Sequence, residues 1–459
     1  MCLSNAPQIE KIDSVISNSS LDLKQILDND SQEILNDCNY LLPEDVHEIG
    51  NEFSIKIMHI NAQSLVNKMD DLKLIIEKCN SGGSRFDILL ICETFINDYN
   101  KHLCQLDDYV LYERHRSSKR GGGIAIYVHN SFVVEERSDL NIFIEGQMES
   151  MFVEVNANNK HLIVGELYRT PGSDLNSFFT NYESLLENLN SENKMVIVGT
   201  DQNLDYLKVN IHKNTAKFLN MNLDSGLVPM ITRPTRITHS SCTLIDNLYT
   251  NINVNIKSAI LMSDFSDHLP CCLFVGRKKN KIPLIKETRK LNDTNIVKVK
   301  ESLSQIDWNY LNNLDVDEAY DSFVDNLNKC LDENAPKVKI KINPKNVIRE
   351  PWMTQGLVKS SKICDRLYRK QIGCSNSDHN HLKYTTYRNK YNSIKRIAKM
   401  KYYTDQIEQF RNDSKKLWSV FNRIIGKTHN KLDLPTKIKD SNSIIISGNE
   451  NIANEFCDF

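Results

Sequence analysis

Between Phe53 and Val275, short apolar runs are punctuated by side chains that can bind a cation or move a proton. Asn61 follows the run 54–60 and Glu93 follows 87–92. Tyr168 follows 161–167, and Asp201 and Asn203 follow 195–199. Asp267 and His268 stand just before the run that starts at Leu269, and Asp246 lies inside the shorter segment 244–249. One polar residue at the end of an apolar run means little. Several carboxylates, amides, a phenol and an imidazole in such places would gather at one rim if the runs are strands of packed sheets. The plainer reading stays open here: Tyr168 as a half-buried strand tyrosine, Asn61 and Asn203 as turn residues.

The chemistry of such a rim follows from its residue types. A hard divalent cation takes carboxylate and amide oxygens and keeps several waters, and Glu93, Asn61 and Asp267 offer those ligands. Phosphodiester cleavage needs a positioned water, stabilisation of the phosphoryl oxygens and relief of charge on the leaving oxygen. A histidine oriented by a carboxylate, as His268 could be by Asp246, would contact a phosphate in a defined orientation.

These residues need a frame. The runs 54–60, 87–92, 122–128, 151–155, 161–167, 195–199 and 270–275 have the length and the Val/Ile content of strands. The stretches 68–79 and 175–189 repeat apolar residues at spacings of three and four, which predicts helices. Strands alternating with helices predict an α/β layered domain. Gly121-Gly122-Gly123 precedes a strand-like run, so it reads as a turn; a phosphate cradle would lead into a helix.

The chain of 459 residues has ordinary globular composition, 40% hydrophobic and 25% charged, and its length suggests two or three domains. A net charge of -2 names no partner, so any nucleic-acid footprint must be local. No apolar run is long enough to span a membrane, and residues 1–20 lack the pattern of a secretory signal. The twelve cysteines are scattered without a CxxC pair, which suits reduced thiols in an intracellular protein. Residues 1–53 read as an acidic tail (Asp28, Asp30, Glu33, Asp37, Glu44, Asp45, Glu48) that is partly disordered or carries one or two short helices. Residues 54–276 form the layered domain. Beyond the basic linker at Lys278, Lys279 and Lys281, residues 277–459 read as a mostly helical connector.

Two regions carry local positive charge. The loop 112–120 holds Arg114, Arg116 and Arg120, which suits a polyanionic strand. Between Lys359 and Lys401, basic residues including Lys395, Arg396 and Lys399 far outnumber Asp365 and Asp378, with Tyr368, Tyr384, Tyr387 and Tyr391 among them. Such a mixture can track a phosphate backbone and stack bases, or form a solvated cationic face over packed tyrosines; both readings stand.

In combination and order, several segments resemble the endonuclease/exonuclease/phosphatase superfamily. They are Asn61-Ala-Gln-Ser-Leu65, Ile91-Cys-Glu-Thr94, Arg120-Gly-Gly-Gly-Ile-Ala-Ile126, Leu167-Tyr-Arg-Thr-Pro171, Gly199-Thr-Asp-Gln-Asn203, Leu244-Ile-Asp-Asn247 and Ser266-Asp-His268. They look most like the apurinic-type endonuclease of non-LTR retrotransposons. That resemblance, over about 54–276, implies a four-layer αββα sandwich, dependence on Mg²⁺ (or Mn²⁺), and nicking of DNA to leave a 3′-hydroxyl. It implies that Glu93 is the chief metal ligand, supported by Asn61 and completed by Asp267. Asp201 would orient or deprotonate the attacking water, Asn203 and Tyr168 would hold the scissile phosphate, and His268 backed by Asp246 would stabilise the transition state. Two departures stand out: Gln63 where repair-type relatives carry an acid, and Thr200, which stretches Gly-Asp-x-Asn. Pro351-Trp-Met-Thr354 and Lys416-Leu-Trp418 resemble the segment before the reverse transcriptase in such elements. The expectation is therefore a truncated reading frame, intracellular and nuclear after cytoplasmic synthesis, with DNA as partner and RNA as a second partner through the C-terminal basic region. The alternatives are a phosphatase or lipid phosphodiesterase of the same fold, and a nucleic-acid-binding relic without activity.

Overall fold

In the strand β2 (Phe53–Asn61) successive side chains part company, as strand geometry requires. Ile57 joins the interior between two sheets, whereas Met58 and Ile60 join a second core beneath a helix. The same division holds in β3 (Ile88–Cys92), with Ile88, Leu90 and Cys92 facing inward and Leu89 and Ile91 facing the helix. A strand apolar on both faces must be covered on both, which demands layers. The structure, a computed structural model, describes residues 38–80, 85–157, 160–238, 240–277, 285–341, 350–426, 437–439 and 445–447.

The first sheet has seven strands in the order β1 (Asn39–Leu41), β15 (Ile256–Leu261), β16 (Cys271–Arg277), β2, β3, β5 (Ile124–His129) and β4 (Tyr109–Arg114). The main path of the second runs β11 (Val228–Pro229), β14 (Asp246–Thr250), β10 (Met195–Asp201), β9 (Lys160–Arg169), β8 (Met148–Ala157) and β6 (Val133–Glu136). β7 (Phe143–Ile144) pairs with β8, and β12 (Arg236–Ile237) with β13 (Cys242–Thr243) makes a short separate ribbon. After the short α1 (Val46–Gly50), the helix α2 (Leu65–Asn80) covers the outer face of the first sheet through Leu65, Met69, Leu72, Ile75 and Ile76. On the far side of the second sheet lie α3 (Leu175–Ser191) and α4 (Lys213–Asp224). Asp174 caps α3 by accepting from the amides of Asn176 and Ser177, a cap that contributes about 1 kcal/mol. Tyr249 on β14 meets Phe218 of α4 edge-on, with centroids 6.1 Å apart. Helix, sheet, sheet and helix thus form the four layers expected. The three glycines 121–123 all have positive φ and make the turn into β5.

Residues 39–50 do not behave as a tail. β1 pairs in parallel with β15, and Cys38 is buried in the main core. The acidic residues expected at 28–37 lie outside the described residues, as do Lys278, Lys279 and Lys281.

The connector expected over 277–459 is divided. Residues 278–347 form a compact unit of their own, in which β17 (Ile285–Arg289) pairs with β18 (Lys337–Lys341) beside α5 (Asp293–Ser304) and α6 (Val316–Asn334). From residue 348 the chain rejoins the sandwich unit with α7 (Gln355–Gln371), α8 (His379–Gln409) and α9 (Ser414–Ile424), and the short pair β19 (Lys437–Lys439) and β20 (Ile445–Ser447) follows. Trp352, Met353, Leu357, Cys364 and Tyr391 close a third core around Leu74 of α2. Lys78 of α2 and Asp365 of α7, both buried, pair at 2.5 Å. Among the described residues no helix is long and apolar enough to cross a membrane, and the ten described cysteines are free thiols.

Candidate active site

The inward rows of both sheets change from apolar to polar toward one rim. On β2 the row is Ile57, His59, Asn61; on β9 it is Leu162, Val164, Glu166, Tyr168; on β10 it ends in Gly199 and Asp201. Register brings these ends together. Asp201 lies opposite Tyr168 on one side and Asp246 on the other, and Asn61 lies opposite Cys92, next to Glu93. His268 arrives on the segment before β16, bridged to Arg236.

Hydrogen bonds join the set. The Asn61 amide nitrogen donates to Glu93 Oε1 and to Asp201 Oδ2, each at 2.8 Å, so one side chain ties the first sheet to the second. His268 Nδ1 sits 2.9 Å from both oxygens of Asp246 and 3.9 Å from Asp201 Oδ2, which leaves Nε2 as the ring's remaining nitrogen. Thr235 Oγ1 donates to Asp246 Oδ2 at 2.6 Å. Ser266 Oγ donates to the Asn61 carbonyl at 2.8 Å and accepts from the His268 amide at 3.1 Å. Gln63, Glu93 and Asn203 all have left-handed backbone (φ 43°, 49° and 51°), a cost of about 1–3 kcal/mol each that the surrounding contacts must offset.

Behind the rim lies a second buried pair. His59 Nδ1 is 3.0 Å from Glu166 Oε2, and its Nε2 is 3.6 Å from Asp246 Oδ1. Glu166, His59, Asp246 and His268 therefore alternate acid and base from the core to the rim. Burial opposes charge on Asp246, yet His268 and His59 hold its carboxyl well below the usual range. Burial first and Asp246 second push Asp201 up to about 7. Burial also works against a charged His268, but Asp246 outweighs it and raises the imidazole to about 9. The arrangement favours a charged imidazole at His268 and a raised carboxyl at Asp201, two groups whose environments push them apart. Burial and then Glu93 hold the Tyr168 phenol well above its ordinary range.

Of the residues expected from sequence, Asn61, Glu93, Asp201, Asp246, His268 and Tyr168 come together at this rim. Asn203 is on its edge: its amide nitrogen donates to the Arg169 carbonyl, and its backbone N–H donates to Asp201 Oδ1. Asp267 is held by Arg236 at 2.6 Å, while its Oδ1 is buried with no hydrogen-bond partner. Thr200 makes no bulge in its strand. β10 pairs in unbroken register with β9 and β14 through Thr200 to Asp201, so Asp201 keeps its place on the inward row. His115, in the loop 112–120, pairs with Glu113 at 2.9 Å.

The cationic expectations need correction. Arg116 pairs with the buried Glu149 and donates to Thr170, and Arg114 pairs with Glu136 at 3.2 Å; Arg120 remains exposed. Lys395 and Lys399 are engaged by Asp71 and Asp70 of α2 at 2.5 and 2.7 Å, which leaves Arg396 as the exposed member of that trio. Tyr391 is buried and Tyr387 packs beside it in the third core, so neither offers a ring for stacking bases.

Sequence reading missed His59, Glu166, Thr235 and Ser266. His59 carried a signal: two residues before Asn61, it must share that residue's face. Gly199 makes room for the pair, because a Cβ there would lie 2.6 Å from Glu166 Oε2 and 3.1 Å from His59 Nδ1. Gly199→Ala is expected to destabilise the fold by about 1–3 kcal/mol, measured by urea unfolding; unchanged stability would show that the pair can move aside.

Residues 58–268 match the model of the Endonuclease/Exonuclease/phosphatase family. Its members are hydrolases acting on phosphoesters. No curated protein matches the chain. Similar solved structures include the endonuclease domain of TRAS1, a telomere-specific non-LTR retrotransposon. It is 15% identical with a TM-score of 0.39, over 49% of this chain and 100% of that one. Truncated Caenorhabditis elegans TDP2 is 15% identical at a TM-score of 0.36, over 48% of this chain and 98% of its own. An AP endonuclease from Archaeoglobus fulgidus is 12% identical at 0.36, with the same coverage.

Proposed function

We propose that the domain is a Mg²⁺-dependent DNA endonuclease of the non-LTR retrotransposon type, which nicks target DNA and acts in the nucleus. The observation that carries this reading is the hydrogen-bonded set Glu93–Asn61–Asp201 next to the Asp246–His268 dyad, at one rim of the sandwich. The donors of this set suit a hard cation: Asp267 Oδ1 is buried without a hydrogen-bond partner, and Glu93, Asn61 and Asp267 offer carboxylate and amide oxygens. Those three would hold the ion, which when bound stabilises charge on phosphoryl oxygens. Asp201, whose carboxyl is made more basic by burial and by Asp246, takes the proton of the attacking water as that oxygen bonds to phosphorus. The phosphorus–O3′ bond breaks, the leaving oxygen takes a proton from solvent water to become a 3′-hydroxyl, and Asp201 returns its proton to solvent. His268 donates from Nε2 to a phosphoryl oxygen, and Asp246 fixes its ring. Tyr168 and Asn203 flank the phosphate.

A polymer suits the surroundings. Next to Glu93, a cleft of about 310 Å³ is lined by Arg116, Lys119 and Arg120 with Asn67, Asn97 and Phe95, and has no carboxylate in its wall. Supercoiled plasmid incubated with the purified chain and Mg²⁺ is expected to be nicked, and a chelator to stop it. Glu93→Ala is expected to raise the Mg²⁺ requirement about tenfold or more. Equal nicking by Glu93→Ala at every Mg²⁺ concentration would remove Glu93 from the metal site. Hydrolysis of small phosphomonoesters with intact plasmid would favour a phosphatase instead.

A further inference from the structure

The turn between α7 and α8 forms one wall of a cleft of about 390 Å³, within the size range of ligand sites. The opposite wall is the site's own segment, Ser266 and Asp267, with Gln63 and Lys68 from the approach to α2 and its first turns. We propose that this cleft holds the DNA strand beyond the scissile phosphate, so that the appended helices complete the substrate site. The proposal rests on the DNA-nuclease reading above.

Three observations support it. First, the wall is fixed: Tyr368, Ile372 and Tyr384 are buried in the main core, and Arg388 lies against Asp264 at 3.5 Å. Preorganised walls lose little entropy when a strand settles between them. Second, the cleft is continuous with the chemistry. Ser266 bonds both the Asn61 carbonyl and the His268 amide, so a strand crossing His268 on this side meets the cleft next. Third, the lining suits a phosphate-sugar chain. Its two carboxylates, Asp264 and Asp267, already face Arg388 and Arg236, which leaves Lys68, Gln371, Asn376 and His381 to meet a polyanion. Gln371 and His381 also steady each other across the turn, at 3.0 Å.

The test is binding of a labelled DNA duplex to the full chain without divalent metal, followed by fluorescence anisotropy. Two variants probe the wall: Gln371→Ala with His381→Ala, which removes its polar groups, and Asn376→Trp, which fills the cleft. Each is expected to weaken duplex binding about tenfold, while the affinity for a dinucleotide, too short to reach the wall, holds. Duplex affinity within about twofold of the parent in both variants would overturn the proposal and leave the nuclease reading intact. A parent chain that ignores duplex DNA but hydrolyses a small phosphomonoester would overturn both.

Discussion

His268→Ala is expected to slow single-turnover nicking of plasmid DNA by a hundredfold to a thousandfold. A preorganised donor aimed at developing phosphoryl charge contributes about 2.7–4 kcal/mol to the transition state. The ring's position explains why the loss should be so large. Nδ1 is committed to both oxygens of Asp246 at 2.9 Å, and Thr235 holds that carboxylate from its other side, so Nε2 needs little reorganisation to meet a phosphate. Asp246→Asn should do less harm, because the amide still meets the ring while losing its charge. His268→Ala also takes a buried imidazole away from Asp246, so some stability is lost with it, and the rates are compared where urea unfolding shows both proteins fully folded. A single-turnover rate within about threefold of the parent, only ~0.7 kcal/mol, would remove His268 from the chemistry.

The rim was legible in sequence because polar residues ended apolar runs, and strand geometry converts that pattern into a shared edge. Asn61, Glu93 and Asp201 were found that way. Glu166 was not, because a single acid inside the run 161–167 reads as an interruption until His59 is seen 3.0 Å away on the facing sheet. Thr200 lengthens the motif as counted along the chain, yet the ladder between β10 and its neighbours runs through it without a bulge and leaves Asp201 on the inward row. The basic C-terminal helices misled for a related reason. Charge on a sequence does not show its partner, and the acids that take Lys395 and Lys399 lie more than three hundred positions earlier on α2. A buried face of α7 left no signal at all. Its defining contact joins residues 287 positions apart.

That contact sets up the second large effect: Asp365→Ala is expected to lower unfolding free energy by about 3–5 kcal/mol. The Lys78 ammonium is buried in the face between α2 and α7, where it meets Asp365 Oδ2 at 2.5 Å and Ser361 Oγ at 3.1 Å. Alanine removes the carboxylate but leaves the ammonium in a medium that solvates it poorly, and that uncompensated charge is the main cost. The charge also explains why the loss should exceed that of a solvent-exposed pair such as Lys416–Asp413, whose charges water screens. Replacing both partners together, Lys78→Met with Asp365→Leu, should restore most of the loss, because an apolar pair of similar volume needs no desolvation. Urea unfolding of the full chain measures both variants. A single-variant loss below about 0.5 kcal/mol would mean that α7 does not dock on α2 in solution, and the cleft beside His268 would then lack its second wall.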